Sequence, residues 1–246
     1  MLEHYPTDVG EAGVDEAGRG CLAFEVCAAA VVLPPLASLE HASESTKRDM
    51  DAIRDSKKLS KKARDRLSEF IKEVALGYGI GTCSPAEIDD MNILRATHVA
   101  MHRALDAVDR VTPVRKILVD GDRFEPYLFS SSEEAHRDNN DETPLWVPHA
   151  CVPHGDATHV NIAAAGILAK VHRDKLVEDR CASDPTLDKN YGFLSNKAYG
   201  TARHMQGLRD HGPTVFHRRS YAPVAKCISP SPPHPVVDDV TDADQV

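Results

Sequence analysis

The chain has 246 residues, of which 41% are hydrophobic and 27% charged, and its formal net charge is −9. These values are those of an ordinary globular protein, and no internal repeat is visible. The N-terminus has no basic segment before an apolar core, and the longest apolar stretch, residues 26–37, is too short to span a bilayer. Six cysteines without paired spacing are typical of reduced thiols. We therefore expect a cytoplasmic protein without a membrane span.

Most of the negative charge lies in two segments. Residues 130–142 contain five acids and one arginine, and residues 229–246 contain four aspartates and no lysine or arginine. The rest of the chain has a net charge near −1, so overall charge does not exclude a nucleic-acid partner that meets a local basic surface. We interpret residues 130–142 as an acidic loop insertion. Residues 229–246, rich in proline, serine and aspartate, are predicted to be a disordered tail.

The predicted elements alternate between strands and helices. Residues 14–16 and 24–33 are interpreted as buried strands, the second of them rich in alanine and valine. Ser60 is a suitable N-cap for a helix with apolar residues at 63, 67, 70, 71 and 74. A strand at 78–83 is followed by Ser84-Pro85-Ala86-Glu87, a capping box with proline at the first helical position. Apolar spacing then predicts a helix at 93–108, a strand at 116–120, and helices at 162–179 and 201–211. This order indicates an α/β domain with a mixed sheet.

Four carboxylates stand at the ends of apolar segments and close to glycines: Asp15, Glu16, Asp120 and Asp156. Carboxylates gathered without nearby bases repel each other and retain protons unless a cation intervenes. Oxygen ligands in this number suit Mg²⁺ or Mn²⁺. The sequence therefore predicts a metal-dependent phosphoryl-transfer site, in which two divalent ions about 4 Å apart would hold the attacking water and the leaving oxygen.

Asp15 and Glu16 are neighbours, which constrains this prediction. Successive side chains on a regular strand point to opposite faces of the sheet. Both can reach one metal cluster only if the strand ends or bulges between them, and Gly18 and Gly20 favour such a break.

Several specific motifs follow one another along most of the chain. The Asp-Glu-Ala-Gly-Arg-Gly run at residues 15–20 is the most specific of them. The motifs lie at residues 13–20, 55–60, 119–121, 162–174, 191–193, 199–201, 212–214 and 217–224. In sequence and order these motifs resemble those of the ribonuclease HII family, the type 2 ribonucleases H, and the similarity covers about residues 10–224.

The resemblance implies a ribonuclease H-like α/β fold, a five-stranded mixed sheet flanked by helices with a helical C-terminal extension. It implies a catalytic domain at residues 10–180, with residues 181–226 as the helical part of the same unit. The implied activity is hydrolysis of the RNA strand of RNA–DNA hybrids and cutting at ribonucleotides embedded in duplex DNA. Products would carry 5′-phosphate and 3′-hydroxyl ends, Mg²⁺ or Mn²⁺ would be the cofactor, and we expect a monomer.

The resemblance also assigns roles to individual residues. Asp15, Glu16, Asp120 and Asp156 correspond to the family's four catalytic, metal-binding acids. Backbone contacts of Gly18, Arg19 and Gly20 would recognise the ribose 2′-hydroxyl, and Tyr199 would pack against the next deoxyribose. The candidate phosphate contacts are Lys57, Lys58, Lys170, Arg218 and Arg219.

Asp174 lies in a matching motif, but we interpret it as a charge on the helix surface that pairs with Arg173 or Lys175. The chain departs from the usual family residues at Cys21, Phe24, Asn161, Gly166, Asn196 and Ala198, and glycine is usual at positions 24 and 198. None of these departures removes a carboxylate.

Three alternatives remain open at this point. The chain could be a nucleic-acid-binding protein of the same fold that has lost catalysis, or a different nuclease of that fold, such as a type 1 ribonuclease H or a resolvase. A zinc site is also conceivable, but no complete four-ligand spacing is present, so we interpret the histidines as scattered. The residues considered for zinc are His98, His102, His149, Cys151, His154 and His159.

Overall fold

A computed structural model describes residues 2–128 and 146–228 of the chain. The predicted acidic loop insertion (residues 130–142) and the predicted tail (residues 229–246) lie outside the described residues. In the described part, no helix combines the length and the apolar character needed to cross a membrane.

The centre of the protein is a five-stranded mixed sheet, as the resemblance implied. Its strands are β1 (Glu11–Ala17), β2 (Val26–Val32), β3 (Gly77–Cys83), β4 (Lys116–Asp120) and β5 (His149–Val152). The strand order is β3-β2-β1-β4-β5. Strands β1, β2 and β3 pair antiparallel, whereas β4 and β5 run parallel to β1. Strand β5 was not predicted, because four residues at a sheet edge give almost no periodic signal.

Helices cover both faces of this sheet. They are α1 (Glu44–Ala52), α2 (Lys61–Val74), α3 (Pro85–Met91), α4 (Ile93–Asp109), α5 (Val160–Ser183), α6 (Pro185–Tyr191), α7 (Phe193–Asn196), α8 (Ala202–His211) and α9 (Ala222–Ile228). The predicted caps are confirmed. Ser60 Oγ accepts the Ala63 amide, and Ser84 and Glu87 form the reciprocal capping box. Helices α1, α6, α7 and α9 were not predicted individually, since all four are shorter than three turns.

The core consists of two apolar layers on either side of the sheet. Strand β2 is buried along its whole length, so its small alternating side chains contact both layers. Helix α4 packs on one face, where Met101 and Leu105 belong to the same apolar cluster as Val14 of β1. Helix α5 packs on the other, with Ile167 against the opposite side chains of β2. Each such apolar side chain contributes about 1.5–3 kcal/mol by burial.

The C-terminal helices form a third apolar cluster against residues 21–24. Phe24 is fully buried there, with Phe193 in edge contact at a ring separation of 4.9 Å. The sequence-based division placed the catalytic domain at residues 10–180 and the helical part at residues 181–226. Helix α5 continues across this boundary. Phe24 and Ala198 have positive φ values, 66° and 65°, at two positions where the resembled family usually has glycine. The backbone thus keeps a left-handed conformation that strains a residue with a Cβ atom.

Candidate active site

Three carboxylates from separate parts of the chain meet at one end of the sheet. One ligand oxygen from each of Asp15, Asp120 and Asp156 lies within 4.8 Å of the other two. The parallel register of β1 and β4 pairs Val14 with Val119, so the next residues along each strand, Asp15 and Asp120, are neighbours. The topology therefore brings together carboxylates that are about 105 residues apart in sequence.

Asp156 reaches the cluster through a short 3-10 helix, Gly155–Ala157, after β5. The Gly155 amide donates a hydrogen bond of 2.7 Å to Asp120 Oδ1. His154, which precedes this turn, adopts a left-handed conformation with φ 57°. The contact between Gly155 and Asp120 attaches the turn to the end of β4 and so holds Asp156 beside Asp120.

The electrostatics of the cluster are unfavourable without a cation. Burial raises the pKa of Asp15 well above its ordinary value, and the charges of Glu16 and Asp120 raise it further. Burial and the Asp120 charge likewise raise the pKa of Asp156, although Lys57 opposes this with Nζ 3.5 Å from Asp156 Oδ2. Buried carboxylates that repel one another and share a common centre are a donor set that fits a divalent cation.

Glu16, the fourth predicted ligand, lies outside this three-carboxylate set. Strand β1 stays in regular register with β2 through Ala17, so the break expected between Asp15 and Glu16 is not present. The Glu16 carboxylate instead pairs with Arg19 Nη1 at 3.4 Å. Burial raises the pKa of Glu16, and the Asp120 charge adds to that effect, so Glu16 is electrostatically coupled to the cluster.

The Gly18–Gly20 loop follows the carboxylates of β1 and turns towards the C-terminal helices. Gly18 has φ 94°, and a Cβ atom there would lie 2.1 Å from Arg173 Nε, so the buried Arg173 requires glycine at this position. At Gly20, in contrast, the one described atom within 4 Å of an added Cβ atom would be Tyr199 Cε1, at 3.8 Å. The protein itself has room for a side chain at Gly20, which is typical of a glycine that lets a ligand approach the backbone.

Tyr199 is held next to this loop by main-chain contacts. Cys21 and Tyr199 form an isolated antiparallel bridge, and the Leu22 amide donates to Ala198 O at 2.9 Å. The Tyr199 side chain remains 46% exposed. The predicted junction residues Gly20 and Tyr199 are therefore brought together, with the tyrosine ring available to a ligand.

The predicted phosphate contacts occupy different environments. Lys57 and Lys58 are exposed, whereas Lys170 donates to Asp174 Oδ1 at 2.8 Å. Arg219 is exposed, and its amide donates to Asp89.

The structure contradicts the predicted phosphate contact of Arg218. It is fully buried, and its guanidinium donates to the carbonyls of Phe24 and Arg19. A buried side chain with these partners is not placed to meet a phosphate, so the sequence-based role for Arg218 was wrong.

Asp174 also differs from its interpretation as a surface charge. It is 6% exposed and pairs with Lys170 at 2.8 Å and with Arg64 Nη2 at 3.9 Å, not with Arg173 or Lys175. Arg173, which supports Gly18, was not identified from sequence. The sequence signal was helical spacing: residues 166 and 173 are seven apart and share one face of α5. In the structure this face meets the site, because Gly166 lies against the Asp15 carboxylate.

The six residues considered for zinc form no metal-binding group in the described part of the chain. Within residues 2–128 and 146–228, the cluster of Asp15, Asp120 and Asp156 is the one group of acids, histidines and cysteines close enough to hold a metal. His159 stacks on His4 at 4.5 Å, and His149 meets Phe124 at 5.3 Å.

Comparison with known proteins gives a consistent result. The sequence model of the family described as Ribonuclease HII matches residues 12–224. The ribonuclease HII of Parabacteroides distasonis is 39% identical over 221 residues, covering 90% of this chain and 94% of that protein. Ribonuclease HII 1 of Methylibium petroleiphilum is 42% identical over 91% of this chain and 95% of that protein. The crystal structure of ribonuclease H2 from Pyrococcus horikoshii OT3 superposes with a TM-score of 0.61 at 26% identity, covering 88% of this chain and 96% of that chain.

The mixed sheet, its flanking helices and these structural neighbours define a ribonuclease H-like fold. The acidic triad at its edge is positioned to bind metal, as in a metal-dependent endoribonuclease. The chain belongs to the ribonuclease HII family, and its activity is that of a type 2 ribonuclease H.

Proposed function

We propose that this enzyme cuts at ribonucleotides embedded in duplex DNA as well as in the RNA strand of RNA–DNA hybrids. Cleavage would use two Mg²⁺ or Mn²⁺ ions and leave 5′-phosphate and 3′-hydroxyl ends. Its role would be ribonucleotide excision, carried out by a monomer in the cytoplasm.

One continuous segment, residues 15–20, carries this proposal. Asp15 belongs to the three-carboxylate cluster, and Gly20, five residues later, faces the ring of Tyr199. A nucleic-acid strand bound between Asp15 and Gly20 would have its scissile phosphate at the carboxylates. Its sugars would lie at the loop and at Tyr199. Catalysis and sugar recognition would thus both depend on strand β1 and the turn that follows it.

The divalent ions, when bound, would activate a water and stabilise the leaving oxygen. Asp15, Asp120 and Asp156 are the residues that would hold them, and Glu16 would complete the set. Lys57, whose Nζ lies 3.5 Å from Asp156, would bring positive charge to the phosphate that approaches the cluster. Positioning and charge stabilisation would supply most of the rate, without a nucleophilic side chain.

Sugar recognition would rest on Gly18, Arg19, Gly20 and Tyr199. The 2′-hydroxyl distinguishes RNA from DNA at a given sugar, and a backbone free of side chains can contact it closely. The exposed Tyr199 ring would pack on the next sugar and exclude a second 2′-hydroxyl. Lys57, Lys58, Lys170 and Arg219 would contact phosphates, which position a duplex without reading its sequence.

The test is a cleavage assay on three duplexes: DNA with one ribonucleotide, a long RNA–DNA hybrid, and all-DNA. Each is incubated with Mg²⁺, with Mn²⁺ or with chelator, and product ends are determined by ligation and by phosphatase sensitivity. We expect cleavage of the first two duplexes with either metal and none with chelator. Products should be ligatable at the 5′ end without added kinase.

Other outcomes identify the alternatives. Cleavage of the hybrid but not of the single ribonucleotide would indicate type 1 specificity. Cleavage of none of these duplexes, together with cleavage of a branched DNA added as a fourth substrate, would indicate a resolvase. Binding of all three duplexes without any cleavage would indicate a nucleic-acid-binding protein that has lost catalysis.

A further inference from the structure

Two side chains from the C-terminal part of the chain donate to the same main-chain oxygen of the Gly18–Gly20 loop. Arg218 Nη1 lies 2.9 Å from Arg19 O, and Tyr221 Oη lies 2.6 Å from it. Arg218 Nη1 also donates to Tyr221 Oη at 3.0 Å. Since Nη1 carries two hydrogens and the tyrosine hydroxyl carries one, all three hydrogen bonds can form at once.

This pair of donors is itself held rigidly. Arg218 is fully buried, its Nε donates to Phe24 O at 2.9 Å, and its own amide donates to Leu22 O at 2.9 Å. The two residues after Arg218 are also held: the Arg219 and Ser220 amides donate hydrogen bonds to Asp89 at 2.9 and 2.8 Å. The donors are therefore tied both to the chain just after the loop and to helix α3.

Their effect on the loop follows from the geometry of a peptide unit. In a trans peptide the C=O and the following N–H point in opposite directions. Because the Arg19 carbonyl points inward to Arg218 and Tyr221, the Gly20 N–H points outward. Gly20 is exposed, and among residues 2–128 and 146–228 its amide has no acceptor. A free donor thus faces the space beside the Tyr199 ring.

We propose that Arg218 and Tyr221 are positioning residues that orient the Arg19–Gly20 peptide so that its N–H is presented to the ribose of a bound ribonucleotide. They touch neither substrate nor metal, and they act through the loop backbone. This inference rests on the proposed function and adds to it the residues that set ribose specificity. Loss of either donor frees the peptide to rotate, which weakens recognition of the 2′-hydroxyl more than binding of the duplex itself.

The test measures ribose discrimination in the absence of cleavage. Affinities for two duplexes that differ in one 2′-hydroxyl are measured with Mg²⁺ in an Asp120→Asn background, and their ratio is the discrimination. Tyr221→Phe removes one donor and should reduce the ratio about three-fold, as for the loss of a single hydrogen bond. Arg218→Lys, which cannot supply the same fork of donors, should reduce it about ten-fold. Affinity for the all-DNA duplex should stay unchanged.

Tyr191→Phe is the matched control. Tyr191 Oη donates to Gly212 O at 2.7 Å, so this variant loses the same kind of hydrogen bond in the same part of the chain, away from the loop. Its discrimination should equal that of the background protein. A purely structural role for Tyr221 would lower both affinities together and leave the ratio unchanged, and that result overturns the inference.

Two further outcomes are separable. If the Asp120→Asn protein itself does not distinguish the two duplexes, the proposed function fails, and the inference fails with it. If Arg218→Lys does not fold, as judged by thermal unfolding, Tyr221→Phe decides alone, and an unchanged ratio in that variant rejects the proposal.

Discussion

The Gly155 amide donates to Asp120 Oδ1 at 2.7 Å, so one cluster carboxylate anchors the turn that supplies another. Asp120 therefore has two roles, one as a charge beside Asp15 and Asp156 and one as a hydrogen-bond acceptor within the fold. The two roles can be separated by substitution, because an amide oxygen keeps the acceptor and loses the charge.

Asp120→Asn should abolish metal-dependent cleavage while the protein stays folded. Removing one ligand charge from the cluster should lower the rate by more than about 100-fold, beyond the loss typical of a residue that only supports a metal ligand. Single-turnover cleavage of a hybrid duplex measures the rate, and thermal unfolding monitors the fold. Asp122→Asn, an exposed acid two residues later, is the matched control and should cleave normally. Activity of Asp120→Asn within ten-fold of wild type would contradict the assignment of the cluster.

Asp15→Asn should stabilise the metal-free protein at neutral pH. The folded-state pKa of Asp15 is raised by burial and by Glu16 and Asp120, so its contribution to stability is present below the unfolded pKa near 4 and lost as pH rises through the folded value. Removing the charge should raise the Tm in chelator at pH 7.5 by about 2–4 °C per kcal/mol of relieved repulsion.

The Asp15→Asn variant also tests whether the cluster binds a divalent metal. Mg²⁺ or Mn²⁺ should raise the Tm of the wild-type protein through binding to the folded state. This metal-induced rise should be much smaller in Asp15→Asn. Asp8→Asn, at an exposed position, should behave like wild type in both respects. A lower Tm for Asp15→Asn in chelator would show that its carboxylate stabilises the metal-free fold, against the prediction.

Lys57→Ala should weaken duplex binding in a salt-dependent manner. The Lys57 side chain is 81% exposed beside Asp156, where a phosphate would approach. Loss of one phosphate contact should reduce the slope of log K against log salt concentration by about one, to a similar degree for every sequence. Filter binding or fluorescence anisotropy over a salt series measures the slope. Lys62→Ala on the exposed side of α2 should leave it unchanged, and equal slopes for both variants would remove Lys57 from the interface.

The buried pair of His204 and His217 should make the C-terminal part of the protein sensitive to acid. The Thr214 amide donates to His217 Nδ1, so His217 Nε2 carries the proton and donates to His204 Nε2 at 3.0 Å. His204 Nδ1 then donates to Tyr199 O. Burial lowers the pKa of both rings, that of His217 to about 3.

The sign of this effect follows from proton binding. The unfolded chain binds protons below about pH 6.5 and the folded chain does not, so stability is full above pH 6.5 and falls from there towards pH 3. Each ring contributes a slope of up to about 1.4 kcal/mol per pH unit. His217→Gln should be less stable at pH 8 and show a shallower slope, whereas exposed His41→Gln should match wild type. Denaturant unfolding between pH 8 and 5 measures this, and a flat wild-type profile would contradict it.

Local features of this protein could be predicted from its sequence. The caps at Ser60 and Ser84, the helix beginning after Thr201 and the strand ending at Asp120 all appear where their patterns indicated. Three of the four candidate carboxylates, Asp15, Asp120 and Asp156, meet in one cluster. These features depend on side-chain chemistry within a few residues or on apolar periodicity, and a single sequence contains both.

Tertiary structure alone decided which charges are buried and which face the site. Glu16 lies outside the three-carboxylate set and pairs with Arg19, which the sequence around it does not reveal. Arg218 becomes a buried donor to Arg19 across 199 residues, and Asp174 is buried between Lys170 and Arg64. The sequence of a motif does not show whether its charged residue binds a phosphate or donates to a main-chain carbonyl. Its burial is set by contacts between distant segments, whose arrangement follows from packing the whole sheet and its helices.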